Sequence, residues 1–526
     1  MSAEAPAVAA AEWRPRFNPW LISIPVMLAT FMVILDTSIV VVALPYIAGN
    51  LGATQDESTW VLTSYLVANA VILPASAWLS SFFGRKNFLI VCTIVFTAAS
   101  ATCGLALTMP MLVVSRVLQG VGGGAMQPLS QAILLEAFPP TQRGTATALF
   151  GLGVVVAPII GPTLGGWLTD QYSWRWTFYI NLPVGILATV LMLILIEDPP
   201  YIRASRPRRI DGAGFLFMGL FLATLQIVLD KGQDADWFGA VWLRWLAGIS
   251  AVSLIAFILR EFLIEHPIVD LRVFGDRNFA VSGILFGLFG LSIYALITLQ
   301  PLFLQSLLGY PAFAAGLSVT PRGIGALAAL LLVGLLVGRV SAKLLVALGF
   351  ALTALASFLL SRVTLQIAMS NVIVANICAG LGTSFIFVPL TTLAIGTLRN
   401  EQIGNATGIQ NLLRNVGGSI GLSYVSTMLQ RYAQVHQALL VGHMSPLNPQ
   451  FRAQLSLFQR VFERGFTAPD AFLKARGMLY KVLLQQSQYW AFVDLFFIVA
   501  CLSAACVALV PIFRKPVTIH HVSVGE

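Results

Sequence analysis

Long apolar runs recur along almost the whole chain, and they constrain the fold more than any other feature of the sequence. A helix needs about 20 apolar residues to cross the hydrocarbon core of a bilayer, and these runs have that length. They are rich in Gly and interrupted by Pro, and their apolar residues are consecutive rather than alternating with polar ones, which favours helices over a β-barrel. The sequence therefore predicts an all-α polytopic membrane protein.

Fourteen membrane-spanning helices fit the sequence best. Of the 526 residues, 57% are hydrophobic and only 10% are charged, which lies outside the range of soluble globular domains. The spans are predicted at residues 21–43, 58–79, 87–107, 111–135, 144–167, 175–196, 212–230, 240–260, 279–300, 312–337, 342–361, 370–396, 404–429 and 489–512.

The positions of Lys and Arg in the short loops predict the orientation, because basic residues are retained on the cytoplasmic side. Alternate loops carry such residues, for example Arg85 with Lys86 and the cluster between residues 203 and 209. The intervening loops hold chiefly Lys231 and Arg362 and are predicted to face outward. Both termini are therefore expected in the cytoplasm, and this topology explains the net charge of +9 without a nucleic-acid partner.

An Arg- and Pro-rich segment at residues 201–215 divides the chain, and the spans around it group most simply as six, two and six. Transporters are often built from two six-helix halves with a ligand site between them at mid-membrane. We therefore predict an N-terminal six-helix half at residues 1–200, an inserted pair of transmembrane helices at 201–265, and a C-terminal six-helix half at 266–526.

A long outward segment near residues 431–488 exceeds what a connector needs. It contains an amphipathic stretch predicted to be a helix, followed by Thr467, which is placed to cap a second helix with Pro469 and Asp470 in its first turn. Two uses stay open, a lid over the outer mouth or a docking surface for another protein. The apolar residues at helical spacing in the first stretch are Phe451, Leu455, Phe458 and Phe462.

Asp36 is a single carboxylate inside the first apolar span. An aspartate at that depth costs roughly 2.5–3.5 kcal/mol, so it should face the protein interior or a water-filled cavity and have a partner. Burial disfavours the charged form of a carboxylate and a nearby cation favours it, so a movable cation would switch Asp36 between proton-bound and proton-free states. We expect proton coupling; the alternative is a static ion pair that locks two helices.

Two spans carry a polar stripe around an arginine. Asp36 is the candidate partner for at least one of these guanidinium groups, whereas Arg322 in span ten has no assigned partner. Most glycines in the stripes are expected to serve close helix packing. Residues three or four apart share one helix face, and they are Arg116, Gln119, Gly123, Gln127 and Ser130 in span four, and Gln410, Arg414, Gly417 and Gly421 in span thirteen.

The spans also supply candidates for a substrate cavity between the halves. Pockets for bulky organic molecules are mostly apolar with a few placed polar groups. The candidates are Tyr65, Asn69, Gln119, Gln127, Tyr294, Gln300, Arg322, Gln410 and Arg414.

The fifth span combines two prolines with closely spaced glycines. Pro removes an amide donor and bends a helix, and Gly permits tight crossing, so a kinked, close-packed helix is expected that seals or flexes between the halves. The residues concerned are Pro158, Gly161, Pro162, Gly165 and Gly166.

The sequence argues against an enzyme. Every histidine falls in a predicted loop or tail, so no intramembrane site of histidine and carboxylate is expected, and no metal site either: His266, His436, His443, His520 and His521. The glycine-rich stretch GVGGGAMQ in span four lacks the GK[ST] ending that holds nucleotide phosphates. Without a cofactor or an ATP site, the energy is expected to come from a proton gradient.

Seven stretches of the chain are specific when they are taken together: LDTSIVVVALP, SRVLQGVGGG, APIIGPTLGG, WRWTFYINLPVG, HPIVDLRVF, LLGYPAFAAGLSVTP and NLLRNVGGSIG. With them the sequence resembles the fourteen-span drug:proton antiporters of the major facilitator superfamily, of the EmrB kind. The resemblance implies a major facilitator fold of two six-helix halves plus two inserted helices. It also implies that Asp36 belongs to the proton-coupling motif, that Arg116 is the charged residue of the coupling helix, and that 157–166 is the segment typical of exporters.

The resemblance further implies export of small hydrophobic or amphipathic compounds from a Gram-negative inner membrane. It also implies a periplasmic membrane-fusion adaptor protein and an outer-membrane channel as partners. The chain departs from the family pattern at Ser81, where many relatives place an acid, at Ala77, where they place Gly, and at Val41, where Asn is frequent.

Two other functions stay open. One is a proton-coupled importer or facilitator of a metabolite, against which the exporter-type fifth span argues. The other is a non-transporting membrane receptor or scaffold, against which the polar stripes argue.

Overall fold

The computed structural model describes residues 15–139, 142–198, 211–264, 267–310, 312–336, 339–366, 369–398 and 402–514. Most of the predicted hinge and the boundary at 265–266 lie outside these residues. The α-helices of the described part are α1 Pro19–Leu51, α2 Gln55–Phe83, α3 Arg85–Gly104, α4 Met109–Ala137, α5 Arg143–Gln171, α6 Trp176–Tyr179, α7 Asn181–Leu195, α8 Gly212–Lys231, α9 Val241–Leu263, α10 Arg277–Ser306, α11 Ala312–Leu336, α12 Ala342–Ser361, α13 Met369–Ile395, α14 Ile403–Val441, α15 Pro449–Phe462 and α16 Ala468–Leu509.

The predicted helical class is confirmed, and each predicted span coincides with helix, the sixth with α6 and α7 together. Among the described residues, 11 helices are long and apolar enough to cross a membrane, or 12 if the two bent parts of α5 form one span. The two further predicted spans coincide with α4 and α14, which carry the polar stripes and are not among these apolar helices. The count of fourteen spans stays a prediction.

The helices on either side of the pair α8–α9 pack in the same pattern. On the N-terminal side, α1 packs on α5, α2 on α4, and α3 on both α4 and α7. On the C-terminal side, α10 packs on α14, α11 on α13, and α12 on both α13 and α16. Helices α8 and α9 pack on each other, and α8 also contacts α2 and α14. The division into two halves and an insertion stays a prediction.

Glycines bring the backbones of these pairs together. A Cβ at Gly120 of α4 would lie 2.5 Å from the carbonyl oxygen of Tyr65 in α2. A Cβ at Gly417 of α14 would collide with the carbonyl oxygen of Gly287 in α10. The expectation that the stripe glycines serve close packing is confirmed at these crossings, because any side chain there would force the helices apart.

Contacts between the N-terminal and C-terminal helices lie at the helix ends that the sequence predicts to be cytoplasmic. The Asn411 side-chain amide of α14 donates to Gln131 Oε1 of α4 at 2.9 Å, and both side chains are buried. The rings of Phe150 in α5 and Phe387 in α13 stack with centroids 6.3 Å apart. These contacts hold the two sets of helices together at this end.

Arg85, the first residue of α3, adds a charge to this end of the molecule. It forms an ion pair with Glu136 in the last turn of α4. One of its guanidinium nitrogens lies 3.3 Å from the position of a Cβ at Gly404, so the side chain also reaches the first turn of α14. Arg85 therefore links the two sets of helices although Ser81 replaces the acid of relatives.

The predicted outer segment is mostly helical. Helix α14 extends to Val441, the amphipathic stretch forms α15, and Thr467 is the N-cap residue of α16, with its hydroxyl donating to Asp470 at 2.6 Å. The placement of His436 in a loop was wrong. It lies within α14 and pairs with Asp494 of α16 at 2.7 Å, because the helix continues beyond its apolar part.

Candidate functional site

The Asp36 carboxylate lies in the interior of the N-terminal helices, at the middle of α1. Arg116 of α4 donates from Nη1 to Asp36 Oδ2 at 2.5 Å, and both side chains are 0% exposed. The predicted pairing of Asp36 with an arginine of a polar stripe is confirmed for Arg116. Its role in proton coupling stays a prediction.

Neighbouring groups hold the Arg116 guanidinium in one position. Its Nη1 also donates to Gln119 Oε1 at 2.8 Å, and its Nε donates to the carbonyl oxygen of Val61 in α2 at 2.9 Å. The guanidinium carbon lies 4.2 Å from the centroid of the Tyr65 ring, a distance at which the ring attracts a cation. Arg116 therefore joins α1, α2 and α4.

The second oxygen of Asp36 accepts two more hydrogen bonds. Gln119 Nε2 and Asn181 Nδ2 each donate to Asp36 Oδ1 at 2.9 Å. Asn181, the first residue of α7, also donates to Ser100 Oγ of α3 at 3.0 Å. Both oxygens of the carboxylate are therefore hydrogen-bonded. The cluster of Asp36, Arg116, Gln119 and Asn181 is hereafter the charged cluster.

The Asp36 carboxylate is shielded from solvent in this conformation, since its side chain is 0% exposed. Beside the carboxylate, Arg116 has the Gln119 and Val61 oxygens as neutral acceptors. Removing one charge of a buried pair is costly, about 3–5 kcal/mol, so the packing of these helices depends on both partners.

The predicted kinked helix packs directly beside Asp36. A Cβ at Gly161 of α5 would collide with the Ser38 hydroxyl of α1, and a Cβ at Gly165 would lie 2.7 Å from the Ile39 carbonyl oxygen. Helix α5 bends by 41° between Pro158 and Thr163, a stretch that includes Pro162. A Cβ at Gly166 would only reach van der Waals contact with α1. The bent part of α5 therefore lies directly against the part of α1 that carries Asp36.

Two tyrosines among the cavity candidates lie on different sets of helices. Tyr65 of α2 is buried against Arg116, while Tyr294 of α10 is 41% exposed. The Tyr294 ring packs on α14, where a Cβ at Gly418 would lie 2.6 Å from Cδ2 of the ring. Arg414 of α14 is buried, with its guanidinium carbon 5.8 Å from the Phe387 ring centroid. The place of these residues in a substrate cavity stays a prediction.

The remaining cavity candidates occupy different surroundings. Gln119 belongs to the charged cluster instead of lining an open cavity. Asn69 is half-buried, and its carbonyl oxygen lies at the α2–α4 crossing. Gln127 and Gln410 are buried, and their amide nitrogens have no hydrogen-bond partner in the described part of the chain.

Arg322 lies apart from the charged cluster, on α11. Its Nη2 donates to Gln300 Oε1 of α10 at 3.2 Å, and both side chains are buried. Within the described residues, neither Arg322 nor Arg414 forms an ion pair with a carboxylate. Among the described residues of the C-terminal helices, two buried arginines thus have no carboxylate partner.

Asn181 is a member of the charged cluster that sequence reasoning missed. It stands in the stretch YINLPVG, where the apolar character of span six hides its importance. The available signal was a single amide side chain in an otherwise apolar helix, which needs a hydrogen-bond partner in a bilayer. The sequence does not show which helix face meets α1, so the partner was not assigned.

Comparison with known proteins identifies the family. The family model described as Major Facilitator Superfamily matches residues 26–422. This chain belongs to the major facilitator superfamily. The multidrug export protein EmrB of Haemophilus influenzae is 36% identical over 431 residues, which cover 82% of this chain and 84% of the relative. The protein of the same name from Escherichia coli K12 is 36% identical over 438 residues, covering 83% and 85%.

Solved structures support the same fold. The proton:xylose symporter XylE, with bound 6-bromo-6-deoxy-D-glucose, aligns with a TM-score of 0.58 over 92% of this chain and 94% of that chain. The sequences are 15% identical, so this likeness concerns the fold alone. The predicted major facilitator fold is confirmed, and the protein is a multi-pass membrane transporter, not an enzyme.

Proposed function

We propose that this protein is a proton-coupled exporter of small hydrophobic and amphipathic toxic compounds, driven by the proton gradient without a cofactor. The observation that carries the proposal is the buried pair of Asp36 and Arg116, since an intramembrane ion pair of this kind marks an ion pathway. The two EmrB relatives, named multidrug export proteins, support the direction of transport and the substrate class.

The proposed cycle alternates access to a cavity between the two halves. With Asp36 charged, Arg116 is held by the carboxylate. Protonation of Asp36 from outside weakens its hold on Arg116 or on the substrate, and the substrate leaves to the outside. Proton release to the inside restores the pair. The cycle that carries the proton inward therefore carries the substrate outward, which is antiport.

Helix α5 is proposed to couple the two events. Its glycines Gly161 and Gly165 lie against α1 beside Asp36. Nearer the first residue of α5, Gly151 packs on Leu330 of α11. A change in the α5 bend therefore acts on both the proton site and the interface between the halves.

The inner membrane of a Gram-negative bacterium, with both termini cytoplasmic, is the proposed location. A membrane-fusion adaptor protein is the proposed outer partner, and through it an outer-membrane channel. Helix α15, the first turns of α16 and the turn between them support this partner, because they lie outside the predicted spans and expose apolar side chains at Leu457, Val461, Phe466 and Leu473. Single cysteines at Leu457 or Val461 should form crosslinks to a co-expressed adaptor; a lid over the outer mouth predicts crosslinks within the chain instead.

Energised membrane vesicles test the exporter function directly. Addition of a substrate should make an exporter move protons against the substrate, whereas an importer moves both in one direction and a scaffold moves neither. Asp36→Asn preserves the size of the side chain, but it replaces one acceptor oxygen with an NH₂ donor and cannot take up the transported proton. It should abolish proton-driven efflux while the protein remains folded and inserted. Unimpaired active efflux by Asp36→Asn refutes the proposal.

A further inference from the structure

Arg322 has no carboxylate partner among the described residues. The residue is 6% exposed and lies on α11, which packs against α5, α10 and α13. Its Nε and Nη1 have no hydrogen-bond partner among the described residues. Gln300, its neighbour at 3.2 Å, is 1% exposed and has an unpartnered Nε2. Three buried donor groups therefore lie together without an acceptor.

Arg116, another buried arginine, has a carboxylate that neutralises its charge and further oxygens that accept its hydrogen bonds. Arg116 is paired with Asp36, and the Gln119 and Val61 oxygens accept two more of its hydrogen bonds. Within the part of the chain that the structure describes, Gln300 Oε1 is the acceptor that Arg322 has. An uncompensated buried charge is strongly unfavourable, so a chain that retains one in a membrane is expected to use it to bind a ligand or an ion.

The backbone at Arg322 is held firmly in place. A Cβ at Gly380 of α13 would collide with the Arg322 carbonyl oxygen, so the two helices touch at this residue. One turn earlier, Asn376 Nδ2 of α13 donates to the Ser318 carbonyl oxygen at 2.9 Å. The guanidinium therefore projects from a fixed point, as expected of a preorganised binding group.

We propose that Arg322 and Gln300 bind the carboxylate head group of an amphipathic organic acid that the protein exports. The inference rests on the proposed export function and adds a substrate class to it. A carboxylate accepts hydrogen bonds from several donors at once and supplies the missing negative charge. The loaded site is then electrically balanced, which favours movement of the acid through the apolar interior.

Three ligands with one pyrene body and different head groups test the proposal: 1-pyrenebutyric acid, its methyl ester, and the corresponding 1-pyrenebutyl trimethylammonium cation. Binding to the purified full-length protein is followed by pyrene fluorescence. Arg322→Gln should weaken binding of the acid on the order of tenfold or more, as expected for loss of a charge-assisted hydrogen bond, and change binding of the ester less than about twofold. Arg322→Lys should retain part of the affinity because it keeps the charge.

A second variant tests the site without leaving a buried hole. Gln300→Glu places a carboxylate beside Arg322 and so fills the site from within the chain. It should abolish binding of the acid, leave binding of the ester, and raise or maintain the unfolding temperature because it balances the buried charge. Retained binding of the acid by a folded Gln300→Glu protein overturns the proposal.

Arg175→Gln is the control, because Arg175 donates to the backbone carbonyl oxygens of Gly104 and Ala106 and is not among the cavity candidates. It should weaken binding of the acid much less than Arg322→Gln does. Equal losses in the two variants would show a diffuse effect of positive charge and overturn the assigned site, as would equal loss of acid and ester in Arg322→Gln. Proton movement driven by the ester in vesicles reports on export separately, since it does not involve the carboxylate.

Discussion

The hydrogen bond from Asn181 to Asp36 gives a quantitative prediction for stability and transport. Asn181→Ala removes one of the hydrogen bonds donated to the carboxylate, at 2.9 Å in a fully buried position. A hydrogen bond to a charged group contributes about 1.5–3 kcal/mol. The variant should therefore lower the free energy of unfolding by about 1.5–3 kcal/mol and reduce efflux, because α7 loses its contact with the carboxylate of α1.

The unfolding of the purified protein in denaturant measures the stability, and efflux is measured in proteoliposomes with a fixed pH difference. Asn376→Ala is the control, because Asn376 is an equally buried asparagine that donates to backbone carbonyl oxygens far from Asp36. It should retain more of the efflux than Asn181→Ala does. Unchanged stability and efflux in Asn181→Ala refute the assigned role of the hydrogen bond.

Two further predictions concern helix contacts. Gly161→Ala places a Cβ against the Ser38 hydroxyl and should lower the stability by about 1–3 kcal/mol and reduce efflux, as measured by thermal unfolding and vesicle transport. Removing the hydroxyl in the double variant with Ser38→Gly should restore both; no recovery would contradict the close approach. Arg85→Gln removes the cation that pairs with Glu136 and should lower the stability, by up to about 3–5 kcal/mol, whereas the double variant with Glu136→Gln should recover much of the loss. Equal stability of Arg85→Gln and wild type would show that the pair contributes little.

The sequence predicted the helices well, because a span must be apolar and must satisfy its backbone hydrogen bonds internally. Outside the apolar spans, the sequence predicted α15 and the Thr467 cap but not the full length of α14. Helix α14 runs on to Val441, beyond the apolar span that ended the prediction at residue 429. Its outer part is polar and lies outside the predicted span, so hydropathy gave no signal there and His436 was assigned to a loop.

The charged cluster was predictable in part. Asp36 and Arg116 were identified because ionisable residues in an apolar span are rare and costly, and each needs a partner. The hydrogen bonds from Gln119 and Asn181 to Asp36 were not predicted, although Gln119 was placed on the same helix face as Arg116. They depend on which faces of α4 and α7 meet α1. The absence of a carboxylate near Arg322, within the described residues, also depends on packing between helices distant in sequence.

The central claim is that the Asp36 carboxyl group takes up the transported proton. Infrared difference spectra of the purified protein, recorded between alkaline and acidic buffer, detect this group directly, because a protonated carboxyl has a C=O band that a carboxylate lacks. The wild-type protein should gain such a band over the pH range in which efflux changes, and Asp36→Asn should lack it. An identical band in both proteins, or a wild-type Asp36 that stays ionised throughout that range, would contradict the account.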